Sequence, residues 1–388
     1  MTHIPADSTL DRAIALLDRL VAFDTESSRS NLPLVDFVED YLLGLGARFT
    51  RIPNPEGDKA ALFITFGPDI DGGVVLSGHT DVVPVEGQPW SADPFRLREA
   101  DGRLYARGAC DMKGFAACVL AMAPEFIASG RPIQILLSYD EETTCLGSLD
   151  FIRRFGADLP RPGAVIVGEP TLCQVADAHK GVATFRTTVR GVEAHSARPS
   201  LGANAISAAA EIVVEIDRLA REREHRPGPD TRFDPPYATF HVGTIAGGAA
   251  RNILAREAVI GWEFRGLPGM RAADAMAEVE AFVNAHALPR LRRHTALPTI
   301  ATVMDVDVPG LAAEAGSHAA TLALRLARAN VTVAVPFATE AGHFQAAGVS
   351  TIVCGPGSIE QAHKPDEYVE TAQLAECLGF LQRLCSVA

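Results

Sequence analysis

Five segments carry side chains that could hold cations and move a proton. The apolar run Val74–Leu76 passes through Ser77 and Gly78 into His79, with Asp81 two residues on. Asp111 stands in Arg107-Gly108-Ala109-Cys110-Asp111-Met112-Lys113-Gly114. Ile133–Leu137 leads into Ser138-Tyr139-Asp140-Glu141-Glu142, and Val165–Val167 leads through Gly168 to Glu169. His363 comes late, in Gln361-Ala362-His363-Lys364-Pro365-Asp366-Glu367-Tyr368. Imidazole and carboxylate are the ligands that zinc-like cations accept, and a two-ion site needs them from several segments, with one carboxylate as a bridge. Asp81 is spaced to hold the His79 imidazole from behind and fix its tautomer. In Asp140-Glu141-Glu142 the charges repel, which a cation would relieve. One carboxylate can then bind metal while its neighbour takes a proton from water.

Taken singly, each segment has a plainer explanation. His79 could be an ordinary polar residue at a strand end, Asp111 a helix cap, and the acidic triplet a solvated loop. Their joint occurrence is what points to metal-assisted hydrolysis.

Such ligands must be brought together by a scaffold. Short apolar runs at 60–66, 74–77, 133–138 and 164–167 predict strands. Helical spacing predicts helices over 8–21, 32–45, 114–127 and about 146–155. Ser8 with Asp11 resembles a capping box at the first of these. Strands alternating with helices predict an α/β layer fold, whose ligands gather at the carboxyl ends of strands. The Asp71-Gly72-Gly73 turn between the first two strands predicts a hairpin, hence a mixed sheet. From Lys180 the pattern changes to strand (183–189), helix (203–220), strand (238–245), strand (258–265), helix (272–285). That is most of a compact βαββαβ unit. A strand near 295–303 either completes it or leads back. A helix over 313–329, a strand over 350–354 and a helix over 371–384 then resume the α/β character. Residues 1–179 and 293–388 are therefore expected to form one metal-binding catalytic domain, and 180–292 a smaller domain inserted into it.

The bulk properties fit. The 388 residues exceed what one core usually organises, and the formal net charge of −13 argues against a nucleic-acid partner. Seven cysteines, an odd number with no Cys-x-x-Cys, predict reduced thiols in a cytoplasmic protein rather than a disulfide framework. Asp7, Asp11 and Asp18 interrupt the N-terminal apolar run, so no signal peptide is expected there, and no run is long enough to span a membrane.

In order along the chain stand SGHTD, GACDMKG, DEE, GEPT, GVEAHSARP and AHKPDE. Through these motifs nearly the whole chain resembles the co-catalytic zinc deacylases and exopeptidases, the family that includes acetylornithine deacetylase, succinyl-diaminopimelate desuccinylase, aminoacylase and glutamate carboxypeptidase. The resemblance implies two divalent metal ions, zinc foremost and cobalt the alternative. His79 and Glu169 would hold one, Glu142 and His363 the other, and Asp111 would bridge them beside a cis Asp111–Met112 peptide. It implies Glu141 as general base and later proton donor, and Asp81 as the residue orienting His79. His195, reaching from the inserted domain, usually of the partner subunit, would polarise the scissile carbonyl, which implies a homodimer that closes on its substrate with 180–292 as its lid and dimerisation domain. Residues 111–115, 191–195, 265–270 (RGLPGM) and 355–368 are most similar to the deacetylases. The implied substrate is thus a small N-acyl amino acid, such as N-acetyl-L-ornithine, with a free α-carboxylate. Arg265, Lys180 and Asn252 match positions that contact that carboxylate. Thr339 and Glu340 precede Gly342-His343-Phe344, a departure from the Pro-containing stretch of close deacetylases, and Glu340 could either pair with a substrate ammonium or stay solvated.

Other classes fare worse. Gly243-Thr244-Ile245-Ala246-Gly247-Gly248 lacks both the GK[ST] of a phosphate loop and dinucleotide spacing. No GxSxG occurs, and Cys110 lies beside Asp111, where shape outweighs nucleophilicity. A non-catalytic binding protein on the same fold is the remaining alternative, and the presence of Glu141 with a complete ligand set argues against it.

Overall fold

The computed structural model describes residues 7–386, which form two compact units. The first takes the described residues up to Ala178, Ala313–Ala334, and those from Thr339 onward. The second takes His179–Ala312 and Val335–Ala338.

The first unit is built on an eight-stranded mixed sheet. Its order is Arg48–Pro53, Ala60–Phe66, Ile133–Ser138, Val74–His79, Ala164–Pro170, Thr351–Gly355, Ala176–His179, Val333–Val335. The four strands from Ile133–Ser138 to Thr351–Gly355 run parallel, so their carboxyl ends open on one side. Ala60–Phe66 and Ala176–His179 run antiparallel to their inner neighbours. The mixed sheet was expected, but the hairpin is absent: Ile133–Ser138 lies between Ala60–Phe66 and Val74–His79. Ile133–Ser138 is buried at every residue, and a strand of that kind needs neighbours on both edges and cover on both faces. That non-local burial outweighs the local turn signal.

Ala60–Phe66 shows the same double cover. Leu62, Ile64 and Phe66 join a core that includes residues of helices Thr9–Val21, Lys113–Ala121 and Thr371–Leu384. On the opposite face Phe63 stacks on Phe151, ring centroids 5.6 Å apart. The first helix starts at Ser8, whose hydroxyl accepts the Asp11 backbone N–H at 3.1 Å. The helix expected over 114–127 is two, Lys113–Ala121 and Ala123–Ser129, because Pro124 cannot continue the first. The one expected near 146–155 shrinks to a turn at Leu146–Ser148 and the short helix Leu149–Ile152. Here Gly147 lies so close to the Tyr139 backbone that a Cβ would sit 2.1 Å from its carbonyl oxygen.

The second unit has a four-stranded antiparallel sheet, ordered Thr239–Gly247, Glu257–Arg265, Val182–Arg190, Thr299–Val308. Helices Ala205–Glu224 and Ala272–Phe282 pack on it. Val182–Arg190 alternates, burying Ala183, Phe185, Thr187 and Val189, and Phe185 stacks on Trp262 at 4.0 Å. Thr299–Val308 pairs with Val182–Arg190 and completes this sheet. All seven cysteines are unpaired thiols. Among the described residues no helix is long and apolar enough to cross a membrane.

Candidate metal centre

The parallel strands deliver the acidic and imidazole groups to one place. His79 ends its strand and lies in register with Ser138, so the Asp140–Glu142 turn emerges beside it. Glu169 comes from the neighbouring strand Ala164–Pro170. Gly168 is required just before it: a Cβ there would lie 2.1 Å from the Phe115 ring. Phe115 belongs to the helix that follows Asp111. The Asp111–Met112 peptide is cis.

His79 donates from Nδ1 to the Asp81 backbone carbonyl at 2.9 Å. Its Nε2 lies 3.1 Å from Asp111 Oδ1 and 3.6 Å from Glu169 Oε1. The other Asp111 oxygen, Oδ2, lies 3.3 Å from His363 Nε2, which is itself 3.0 Å from Glu142 Oε2. Asp111 thus faces a different imidazole with each oxygen. Potential ligand atoms of His79, Glu141 and Glu169, and of His79, Asp111 and Glu142, lie within 4.8 Å of one another. These two triples share His79 and so are not separate sites. The division by the two Asp111 oxygens is the better description, because it gives each imidazole its own side. His79, Asp111 and Glu169 are buried, whereas the His363 side chain is 54% exposed and marks the mouth.

A second ring of bonds fixes this set. The Asp81 carboxylate stands 3.6 Å from His79 Nδ1, so the backbone carbonyl of Asp81, not its side chain, makes the short bond to the imidazole. The carboxylate instead accepts Ser27 Oγ at 2.6 Å and the backbone N–H groups of Glu141 and Glu142 at 3.2 and 3.3 Å. Glu367 Oε1 accepts the backbone N–H groups of Cys110 and Asp111 at 2.9 and 3.0 Å, and its Oε2 accepts Arg107 Nη1 at 2.7 Å. Arg107 reaches on to Gln88 Oε1, and Gln88 Nε2 donates to the His363 carbonyl at 3.0 Å.

The electrostatics ask for positive charge. Burial and the neighbouring carboxylates push Glu141 up to about 8 and Glu142 up to about 7, and Glu169 well above the usual range. Burial opposes charge on His79, but Asp111, Glu169, Glu141 and Asp81 outweigh it and raise the imidazole well above 6.5. Asp111, although buried, is held low by hydrogen bonds from His363 and His79. Glu169 Oε1 is the one buried carboxylate oxygen among the described residues without a hydrogen-bond partner. An orphaned carboxylate oxygen 3.6 Å from an imidazole nitrogen is what a cation held between them would satisfy, so the residues present fit bound metal.

Residues 75–386 match peptidase family M20/M25/M40. The chain belongs to that family. It is 35% identical to the acetylornithine deacetylase of Myxococcus xanthus over 380 residues, 97% of either chain. With that of Pasteurella multocida it shares 32% over 391 residues, 99% of this chain and 98% of the relative. Its fold is similar to that of the YxeP protein of Bacillus subtilis, described as a dinuclear metal binding peptidase, at 13% identity, 98% cover of each chain and a TM-score of 0.65. This M20/M25/M40 peptidase is therefore a metal-dependent hydrolase of amide bonds.

The remaining sequence-predicted residues of this peptidase are placed as follows. Glu340 is buried, and each of its oxygens accepts a serine hydroxyl: Ser77 Oγ donates at 2.5 Å and Ser138 Oγ at 2.9 Å. Each carboxylate oxygen can accept more than one hydrogen bond, so these two contacts leave acceptor capacity for a substrate ammonium. Thr339 is buried beside it and accepts the Ala341 N–H at 3.0 Å. His195, Lys180, Asn252 and Arg265 belong to the second unit. His195 is exposed, and its Nδ1 accepts the Ala197 N–H at 3.1 Å, which leaves the proton on Nε2. Lys180 is buried and donates to the Tyr237 carbonyl at 2.8 Å. Arg265 lies against Glu263 at 3.3 Å, and Asn252 is exposed. Sequence reasoning missed Arg107 and Glu367, although both stand in the quoted motifs; their 1% exposure is what distinguishes them from surface charges. It also missed Cys145 and Lys59.

Proposed function

We propose that this chain hydrolyses N2-acetyl-L-ornithine to L-ornithine and acetate, using two divalent cations, zinc foremost and cobalt the alternative. The donor set supports this reading, since each Asp111 oxygen faces a different imidazole. The full-length relatives named acetylornithine deacetylase support the substrate. In this reading His79 and Glu169 hold one ion, Glu142 and His363 the other, and Asp111 both. Bound there, such ions activate water and polarise the amide carbonyl. Glu141 takes the proton of the attacking water and later gives it to the leaving amine. Asp81 holds the backbone from which Glu141 and Glu142 project. His195, with its proton on Nε2, has the tautomer needed to donate to a carbonyl oxygen. Lys180, Asn252, Arg265, Thr339 and Glu340 are the proposed substrate-side residues, and the cytoplasm the proposed compartment.

The test is kcat/KM for amine release by zinc-loaded protein on N-acetyl-L-ornithine, N-acetyl-L-methionine, N-succinyl-diaminopimelate and a dipeptide. Preference for acetylornithine, abolished by a chelator, is expected. Chelator-sensitive activity on another compound alone would transfer the same mechanism to that substrate. Absence of activity on all four would leave a different substrate, or a binding protein on this fold, as the readings.

A homodimer is also proposed. Thr239–Gly247 is an edge strand, and Ile245 on it, with Ile206 on the adjacent helix Ala205–Glu224, is exposed. An open edge beside apolar side chains is a surface for a second copy. Light scattering is expected to return twice the 41.2 kDa chain mass; a single-chain mass at micromolar concentration would remove the proposal.

A further inference from the structure

The Glu141 side chain has one hydrogen-bond partner among the described residues, and it is a thiol. Cys145 Sγ lies 3.3 Å from Glu141 Oε1, and also 3.3 Å from the Glu141 carbonyl oxygen. One S–H cannot serve both equally, and the carboxylate oxygen is the stronger acceptor. The other oxygen, Oε2, points toward the imidazole, 4.0 Å from His79 Nε2. We propose that Cys145 is a positioning residue for Glu141: its S–H holds Oε1, so that Oε2 is the oxygen left to carry the proton. The inference rests on the reading of Glu141 as general base.

The surrounding bonds show why a separate hold on this side chain matters. The Asp81 carboxylate fixes the backbone N–H groups of Glu141 and Glu142. Lys59 Nζ bridges Asp140 Oδ1 and the Ser27 carbonyl, each at 2.5 Å. Those contacts fix the main chain and Asp140, and none reaches the Glu141 carboxylate. A Glu side chain on a fixed backbone still rotates about its own bonds, and exchanging its two oxygens would scatter the proton-accepting position. Cys145 is itself rigidly placed. It is buried, its N–H donates to the Asp140 carbonyl at 2.8 Å, and its left-handed backbone (φ 54°) turns the side chain back over Glu141. Burial beside Glu141 also pushes the thiol up, so it stays a donor.

The experiment uses the zinc-loaded full chain with Cys145→Ala, Cys145→Ser and Glu141→Gln, assayed on N-acetyl-L-ornithine and N-acetyl-L-methionine. Bound zinc and melting temperature are recorded for each. Cys145→Ala is expected to lower kcat about tenfold, the effect of one lost orienting bond, with KM, zinc and melting temperature unchanged. Cys145→Ser keeps a donor and is expected to stay within about threefold of wild type. Wild-type kcat in Cys145→Ala beside an inactive Glu141→Gln would overturn the inference alone. So would equal impairment of the Ser and Ala variants, or a loss that follows zinc or melting temperature. An active Glu141→Gln would overturn the base assignment and this inference with it. A readout independent of turnover is the infrared S–H band isolated by subtracting Cys145→Ala from its parent. The band is expected to shift to higher frequency in Glu141→Ala, and an unmoved band would also overturn the inference.

Discussion

Glu141→Gln is expected to lower kcat by about 10²–10⁴-fold with little change in KM or bound metal. The change removes proton-accepting ability and almost nothing else. The backbone N–H of residue 141 stays on the Asp81 carboxylate, and the amide has the shape of the carboxylate it replaces. The five proposed ligands His79, Asp111, Glu142, Glu169 and His363 are untouched. Zinc content measured beside kcat separates the roles. If the variant loses an equivalent of metal together with activity, Glu141 is a ligand, as its proximity to His79 and Glu169 would permit. If it keeps metal and most of its kcat, the proton is moved by another group.

Glu367→Ala is expected to destabilise the protein by about 3–5 kcal/mol and to weaken metal retention. Arg107 and Glu367 are each 1% exposed, 2.7 Å apart. Removing the carboxylate leaves a buried guanidinium without its counter-charge and frees the N–H groups of Cys110 and Asp111. Arg107 also donates to Gln88, which in turn holds the His363 carbonyl, so the loss reaches both ends of the proposed ligand set. Urea midpoints and zinc retention during dialysis measure the two effects. The double variant Arg107→Met/Glu367→Leu is expected to recover part of the stability, because no unpaired charge remains, but not the metal retention. An unchanged urea midpoint in Glu367→Ala would mean that the pair contributes nothing, and that Asp111 is held by other means.

Glu340 illustrates how burial alters a residue's reading. In the sequence it is a carboxylate near the end of the chain, free to meet a substrate ammonium. In the fold it joins Ser77 and Ser138, on adjacent parallel strands that carry His79 and lead to Glu141. Burial raises its pKa, and the two serine hydroxyls oppose that rise. A carboxyl group so placed ties the two strands together.

The family, the α/β character and the strands whose ends carry His79, the acidic turn and Glu169 are legible in the order of residues alone. The reason is local: apolar runs of strand length, and histidines or carboxylates directly after them, are features of neighbouring residues. Which strands are neighbours is settled only by the folded chain, which replaced the expected hairpin with Ile133–Ser138 because that strand must be covered on both sides. Only it showed that Asp81 reaches His79 through its carbonyl and the acidic turn through its carboxylate. Only it brought Arg107 to Glu367, 260 residues away, and the Cys145 thiol to the Glu141 carboxylate. A charged side chain reads alike in sequence whether it ends in water or in a dry interior. Burial and approach distance, which set its partners and its energy, exist only after the chain has closed.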